Sequence, residues 1–204
     1  MINLKVSDGN IWHRFRFNFV IDMGLRNRGL FLEKKCFFVT TSCYKHLRLL
    51  ESSSCKLIIA NSLNFIAIKY KISILGYVIM PNHLHVLFYF NGENKLSDSM
   101  RDLKKFCAFE IRKYLEYSGS PLLNLIRVES DKQVFKVWED RFDDVWIGSK
   151  ELLEIKLEYI HQNPLQSHWN LSEYPEGYSF SSATFYLGNP ENIVNLTDYR
   201  DVFE

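Results

Sequence analysis

Residues 72–90 read Ile-Ser-Ile-Leu-Gly-Tyr-Val-Ile-Met-Pro-Asn-His-Leu-His-Val-Leu-Phe-Tyr-Phe. Two runs rich in β-branched and aromatic residues, 72–80 and 84–90, flank Pro81-Asn82, a dipeptide suited to a turn, so the stretch predicts a β-hairpin. Side chains alternate along a strand, which sends His83 and His85 to one face and Leu84 to the other. Two imidazoles on one face can hold a metal together, or be ordinary buried, hydrogen-bonded histidines.

Working outward, residues 36–43 (Cys-Phe-Phe-Val-Thr-Thr-Ser-Cys) predict a strand, and 46–70 a helix at least from Lys56 onward, with Leu57, Ile58, Leu63 and Ile66 among its apolar positions. Downstream, Ser97 is placed to cap a helix running to about Tyr117, striped by Met100, Leu103, Cys107, Ile111 and Leu115 and stopped by Ser-Gly-Ser-Pro at 118–121. Alternating apolar residues predict a strand across 135–147. Gly148-Ser149 then opens a helix at Lys150, and Pro164 ends it near Asn163, because the residue before a proline disfavours helical backbone. The order strand, helix, strand, strand, helix, strand, final helix is the split βαβ plan. It predicts an α+β, ferredoxin-like antiparallel sheet with helices packed on one face. Residues 1–35 are expected to be an N-terminal arm, 36–165 the main functional domain, and 166–204 a C-terminal tail packing on or extending the core.

The 204 residues suffice for one substantial core, and four cysteines without metal-type spacing read as reduced, buried thiols. That favours the cytoplasm, as does the absence of a signal peptide or a long apolar run. Net charge is only +1, yet residues 1–90 carry twelve Lys/Arg against four Asp/Glu while 91–204 carry thirteen against twenty. A basic first half suits a partner rich in phosphates.

A second constellation is Tyr-Ile-His-Gln-Asn-Pro-Leu at 159–165. Tyr159 and Asn163 lie four apart on the final helix, so a phenol and an amide oxygen face one site. His161 falls roughly 200° around from Tyr159 and is expected on the solvent side. The alternative is that Tyr159 only packs and Asn163 only ends the helix.

The segments 76–87 and 159–165, followed by Tyr-Ser-Phe-Ser-Ser-Ala at 178–183, together resemble the REP-associated tyrosine transposases, single-tyrosine members of the His-hydrophobic-His nucleases. The resemblance spans about 36–187 and includes 138–142 and the basic helix around Lys104 and Lys105. It implies a ferredoxin-like fold, His83 and His85 as metal ligands, Asn163 completing the metal site, and Tyr159 as the nucleophile that becomes linked to a DNA 5′ end. The implied substrate is single-stranded or hairpin DNA, and mixed nitrogen and oxygen ligands suit Mg2+ or Mn2+ as the divalent metal. Residues 165–168, Leu-Gln-Ser-His, depart from the family's more usual run after Asn-Pro, and the arm is longer than usual. Arg26, Arg28, Lys104 and Lys105 are expected to contact phosphates, with Trp12 available for base stacking. Two other readings stay open: a catalytically inactive hairpin-binding module of this fold, and a metal-dependent phosphoester hydrolase. No membrane partner is expected, and the oligomeric state stays open between monomer and homodimer.

Overall fold

The structure, a computed structural model, describes residues 35–93, 95–128, 134–189 and 191–202. Strand β1 (Cys36–Ser42) leads through a 3-10 turn to helix α1 (Ser53–Tyr70), then to the hairpin β2 (Ile72–Ile79) and β3 (His83–Phe90). Helix α2 (Leu96–Tyr117) and the short α3 (Leu122–Leu125) follow, then β4 (Asp143–Trp146), α4 (Lys150–Gln162) and the short α5 (Ala183–Tyr186). The sheet order is β2-β3-β1-β4 and every pairing is antiparallel. This is the mixed α/β architecture read from the sequence.

Local chemistry sets the starts of α1 and α4, whereas α2 begins at Leu96, one residue before the Ser97 expected to cap it, and has no side-chain cap. Ser52, which interrupts the apolar pattern, is the N-cap of α1, its hydroxyl accepting from the Cys55 amide. Ser149 does the same for α4, accepting from Leu152 N–H, with Glu151 in the first turn.

Alternation along β1 and β3 feeds two separate cores. Phe37, Val39, Leu84, Val86 and Phe88 face α1 and α2, meeting Leu63, Ile66, Leu103 and Ile111. Phe38, Val78 and Leu87 face the other way and pack on Leu153, Leu157 and Ile160 of α4. Thus α1 and α2 share one face as expected, while α4 covers the opposite one. The approach of α4 to β2 depends on Gly76, at a bulge in the hairpin register: a Cβ there would lie 2.5 Å from Leu157 Cδ1.

The strand expected over 135–147 contracts to β4. Upstream of it the chain keeps only an isolated bridge to the end of β1, with Glu139 N–H donating to Ser42 O and Tyr44 N–H to Val137 O, while Lys104 Nζ donates to the carbonyls of Glu139 and Asp140 and the Trp138 side chain donates to Lys104 O. All four cysteines are buried free thiols, as their spacing suggests. The C-terminal segment lies along β2, with Ile79 N–H donating to Phe180 O and Ser182 N–H to Tyr77 O. Tyr178 and Tyr186 hydroxyls donate to Ile79 O and Leu75 O, adding two more ties. No helix among the described residues is long and apolar enough to cross a membrane.

Candidate active site

Register places the site. Thr40 sits opposite His85 and Ser42 opposite His83, so residues 38, 40 and 42 of β1 share the histidines' face, which is the face α4 covers. Tyr159 is on α4, and its ring meets that of His85 at a centroid distance of 5.2 Å and that of Phe38 at 6.0 Å, edge-on in both cases. The His83 and His85 rings are 4.7 Å apart. Asn163, buried, begins the 3-10 turn that closes α4.

Hydrogen bonds orient the imidazoles. Asn82 donates through Nδ2 to His46 O, which turns its Oδ1 toward His83 Nδ1 at 2.6 Å. An amide oxygen only accepts, so His83 carries its proton on Nδ1 and a lone pair on Nε2. His85 Nδ1 pairs with Thr40 Oγ1 at 2.8 Å, and its Nε2 is buried without a hydrogen-bond partner. Asn163 Oδ1 is also buried and unpartnered. Burial, reinforced by the neighbouring His46, pulls the His83 pKa down to about 4; burial holds His85 well below the usual imidazole range. Both rings are therefore neutral at neutral pH, the state that binds a metal.

An imidazole nitrogen and an amide oxygen left unpaired in the interior are costly to bury alone, and both are good ligands for a divalent cation. The residues present thus fit a metal. Among the described residues no third histidine, thiol or carboxylate joins the pair to make a three-ligand group. Burial raises the Tyr159 phenol pKa and a hydrogen bond from Asn163 lowers it; the residue remains 36% exposed.

The other expected residues fall elsewhere. Trp12, Arg26 and Arg28 lie outside the described residues. Lys104 and Lys105 ride on α2, behind the sheet from the histidines; Lys104 is engaged with two carbonyls, and Lys105 is exposed. His161, expected in solvent, is buried and shares a hydrogen bond of 2.9 Å with Ser182 Oγ, because the C-terminal segment packs over that side of α4. Sequence reasoning missed Lys156, one turn before Tyr159, whose Nζ is 4.9 Å from the centre of the Phe38 ring. Helical spacing from Tyr159 carried that signal. It also missed Trp169, whose ring is 5.7 Å from His83 and carries the Arg48 guanidinium at 5.6 Å.

Fold and site define a split βαβ sheet with a histidine pair on one strand and a tyrosine brought to it by the last long helix. A family model described as "Transposase IS200 like" matches residues 34–163, and the chain belongs to that family. Among solved structures it is similar to a REP-associated tyrosine transposase bound to a REP hairpin, with 17% identity, 81% of this chain and 87% of that one covered, and a TM-score of 0.57. It is also similar to a putative transposase from Deinococcus radiodurans R1, with 14% identity, 61% and 87% coverage, and a TM-score of 0.44. No curated protein matches the sequence.

Proposed function

We propose that this transposase-family protein cuts and rejoins hairpin-bearing single-stranded DNA through Tyr159. The observation that carries the reading is that α4 brings Tyr159 against His85, on the face where His85 Nε2 and Asn163 Oδ1 lack partners. The family and the hairpin-bound structural neighbour support DNA as the substrate.

In the forward step the Tyr159 oxygen attacks phosphorus, forming a Tyr–O–P bond as the P–O3′ bond breaks. The phenol proton is given up to solvent, and the departing 3′ oxygen takes one up. The strand carrying the 5′ phosphoryl group stays on the protein. An incoming 3′ hydroxyl reverses the step and restores the phenol, so the energy of the phosphodiester is conserved. A divalent cation, Mg2+ or Mn2+, held by His83, His85 and Asn163 would polarise the phosphate and offset its developing charge. Phe38 and His85 hold the phenol edge-on, and Asn163 opposes the effect of burial on its proton.

The test is incubation of the full chain with labelled hairpin-bearing single strands and Mn2+ or Mg2+. A denaturation-resistant adduct should form, with nucleotide on the tryptic peptide containing Tyr159. An adduct on Tyr77 or Tyr178 would keep the enzyme class and refute the site; retention of DNA without an adduct would indicate a binding module.

A further inference from the structure

We infer that Lys156 is a phosphate-binding residue of this site, gripping the linkage that Tyr159 attacks. The inference rests on the strand-joining reading above and adds to it the group that recognises substrate charge.

Lys156 precedes Tyr159 by three residues and so shares its face of α4. Its Nζ lies 4.9 Å from the Phe38 ring centre and 6.0 Å from that of Tyr159, and Phe38 itself stacks on His85 at 5.3 Å. The ammonium thus stands beside the phenol, on the face of the sheet that carries the two histidines. Among the described residues it has no carboxylate or hydrogen-bond acceptor; burial alone shifts its pKa, downward.

Several of the described lysines are paired: Lys69 with Asp102, Lys136 with Asp140, and Lys104 with two carbonyls. Acidic side chains on α4 are engaged elsewhere too. Glu154 accepts from the Tyr199 hydroxyl, and Glu158 accepts from Gln162. A half-desolvated ammonium resting on aromatic faces gains some attraction from the rings, yet keeps three N–H donors that an anion can satisfy. Beside the phenol that would attack, and over the Phe38 ring that stacks on His85, the anion it fits is a non-bridging oxygen of the scissile phosphodiester.

The test compares full-length wild type, Lys156→Met and Lys156→Arg on a hairpin-bearing single strand, and on the same strand with one uncharged methylphosphonate at the linkage that wild type cleaves. Lys156→Met should weaken binding about tenfold, the usual scale for losing a charged hydrogen bond. It should also make the log-log salt dependence shallower by about 0.7, one phosphate contact on a single strand. Lys156→Arg should restore most of both. The methylphosphonate should cost wild type affinity and cost Lys156→Met little more, because each change removes the same interaction. Unchanged affinity and salt slope in Lys156→Met, penalties that simply multiply, or a loss explained by a lower melting temperature would each overturn the inference. Salt slopes need only binding, so a wild type that binds but forms no adduct on Tyr159 refutes the strand-joining reading while leaving the Lys156 comparison readable.

Discussion

The ring of Tyr159 stands edge-on to the ring of His85, with centroids 5.2 Å apart and planes at 72°. That packing belongs to the ring and not to the hydroxyl. Tyr159→Phe should therefore change stability by no more than about 0.5 kcal/mol, and DNA affinity little, while the covalent adduct disappears. Thermal melting, filter binding and adduct assays on one preparation check all three. Undiminished nicking by Tyr159→Phe would assign the attack to water or another residue.

The tie between Thr40 Oγ1 and His85 Nδ1 predicts a graded effect on metal binding. Replacing His83 and His85 together with Ala should abolish Mn2+ binding measured by calorimetry. Thr40→Val removes only the partner that orients His85, and should weaken Mn2+ roughly 10- to 100-fold. Full affinity in the valine variant would show that the hydroxyl does not set the imidazole's orientation, and cleavage insensitive to EDTA would remove the metal from the reaction.

At Gly76 the expected damage is positional. A methyl group there would stand 2.5 Å from Leu157 Cδ1, so that side chain must turn aside or α4 must shift away from β2, and the second outcome is expected where Leu157 is packed into the core. Gly76→Ala should cost about 1–3 kcal/mol in a denaturation experiment. It should also lower the rate of adduct formation, because Tyr159 rides on the displaced helix. A rate equal to wild type would mean that Leu157 repacks and α4 stays in place.

His161 gives a pH dependence of stability. Burial pulls its pKa from 6.5 down to about 4. Between those values the unfolded chain binds a proton that the folded ring refuses. The contribution to stability is thus complete above pH 6.5, declines as pH falls toward 4, and levels off below. Over that interval wild type should lose on the order of a few kcal/mol more than His161→Gln, since each pKa unit is worth about 1.4 kcal/mol. His83 shifts in the same direction and leaves a residual slope in the variant. Parallel melting curves for the two proteins across pH 4–7 would contradict the assignment.

How far the sequence reaches is decided by whether a signal is local. The His83/His85 pairing on one face follows from period two alone, and the Tyr159/Asn163 pairing from period 3.6. The sheet order β2-β3-β1-β4 follows from the element order once the split βαβ plan is read. Thr40 was invisible because its role depends on cross-strand register, which no stretch of 36–43 encodes by itself. His161 was misplaced because its burial comes from Ser182, 21 residues away, on a segment without regular periodicity. The predicted strand over 135–147 shrank in its first half to an isolated bridge because Lys104 on α2 takes up the carbonyls of Glu139 and Asp140 that a ladder would have used.

The strap of C-terminal backbone along β2 also governs how copies of this chain can meet. An unpaired strand margin offers a row of amide donors and acceptors to any neighbouring chain and invites fibrous aggregation. Here Ser181 bridges Val78, and Phe180 and Ser182 bond the backbone of Ile79 and Tyr77, so that margin is occupied from within. At the opposite margin β4 is four residues long and carries Asp143 and Asp144, whose charges repel a like strand. Among the described residues, growth of the sheet from copy to copy is thereby disfavoured at both ends.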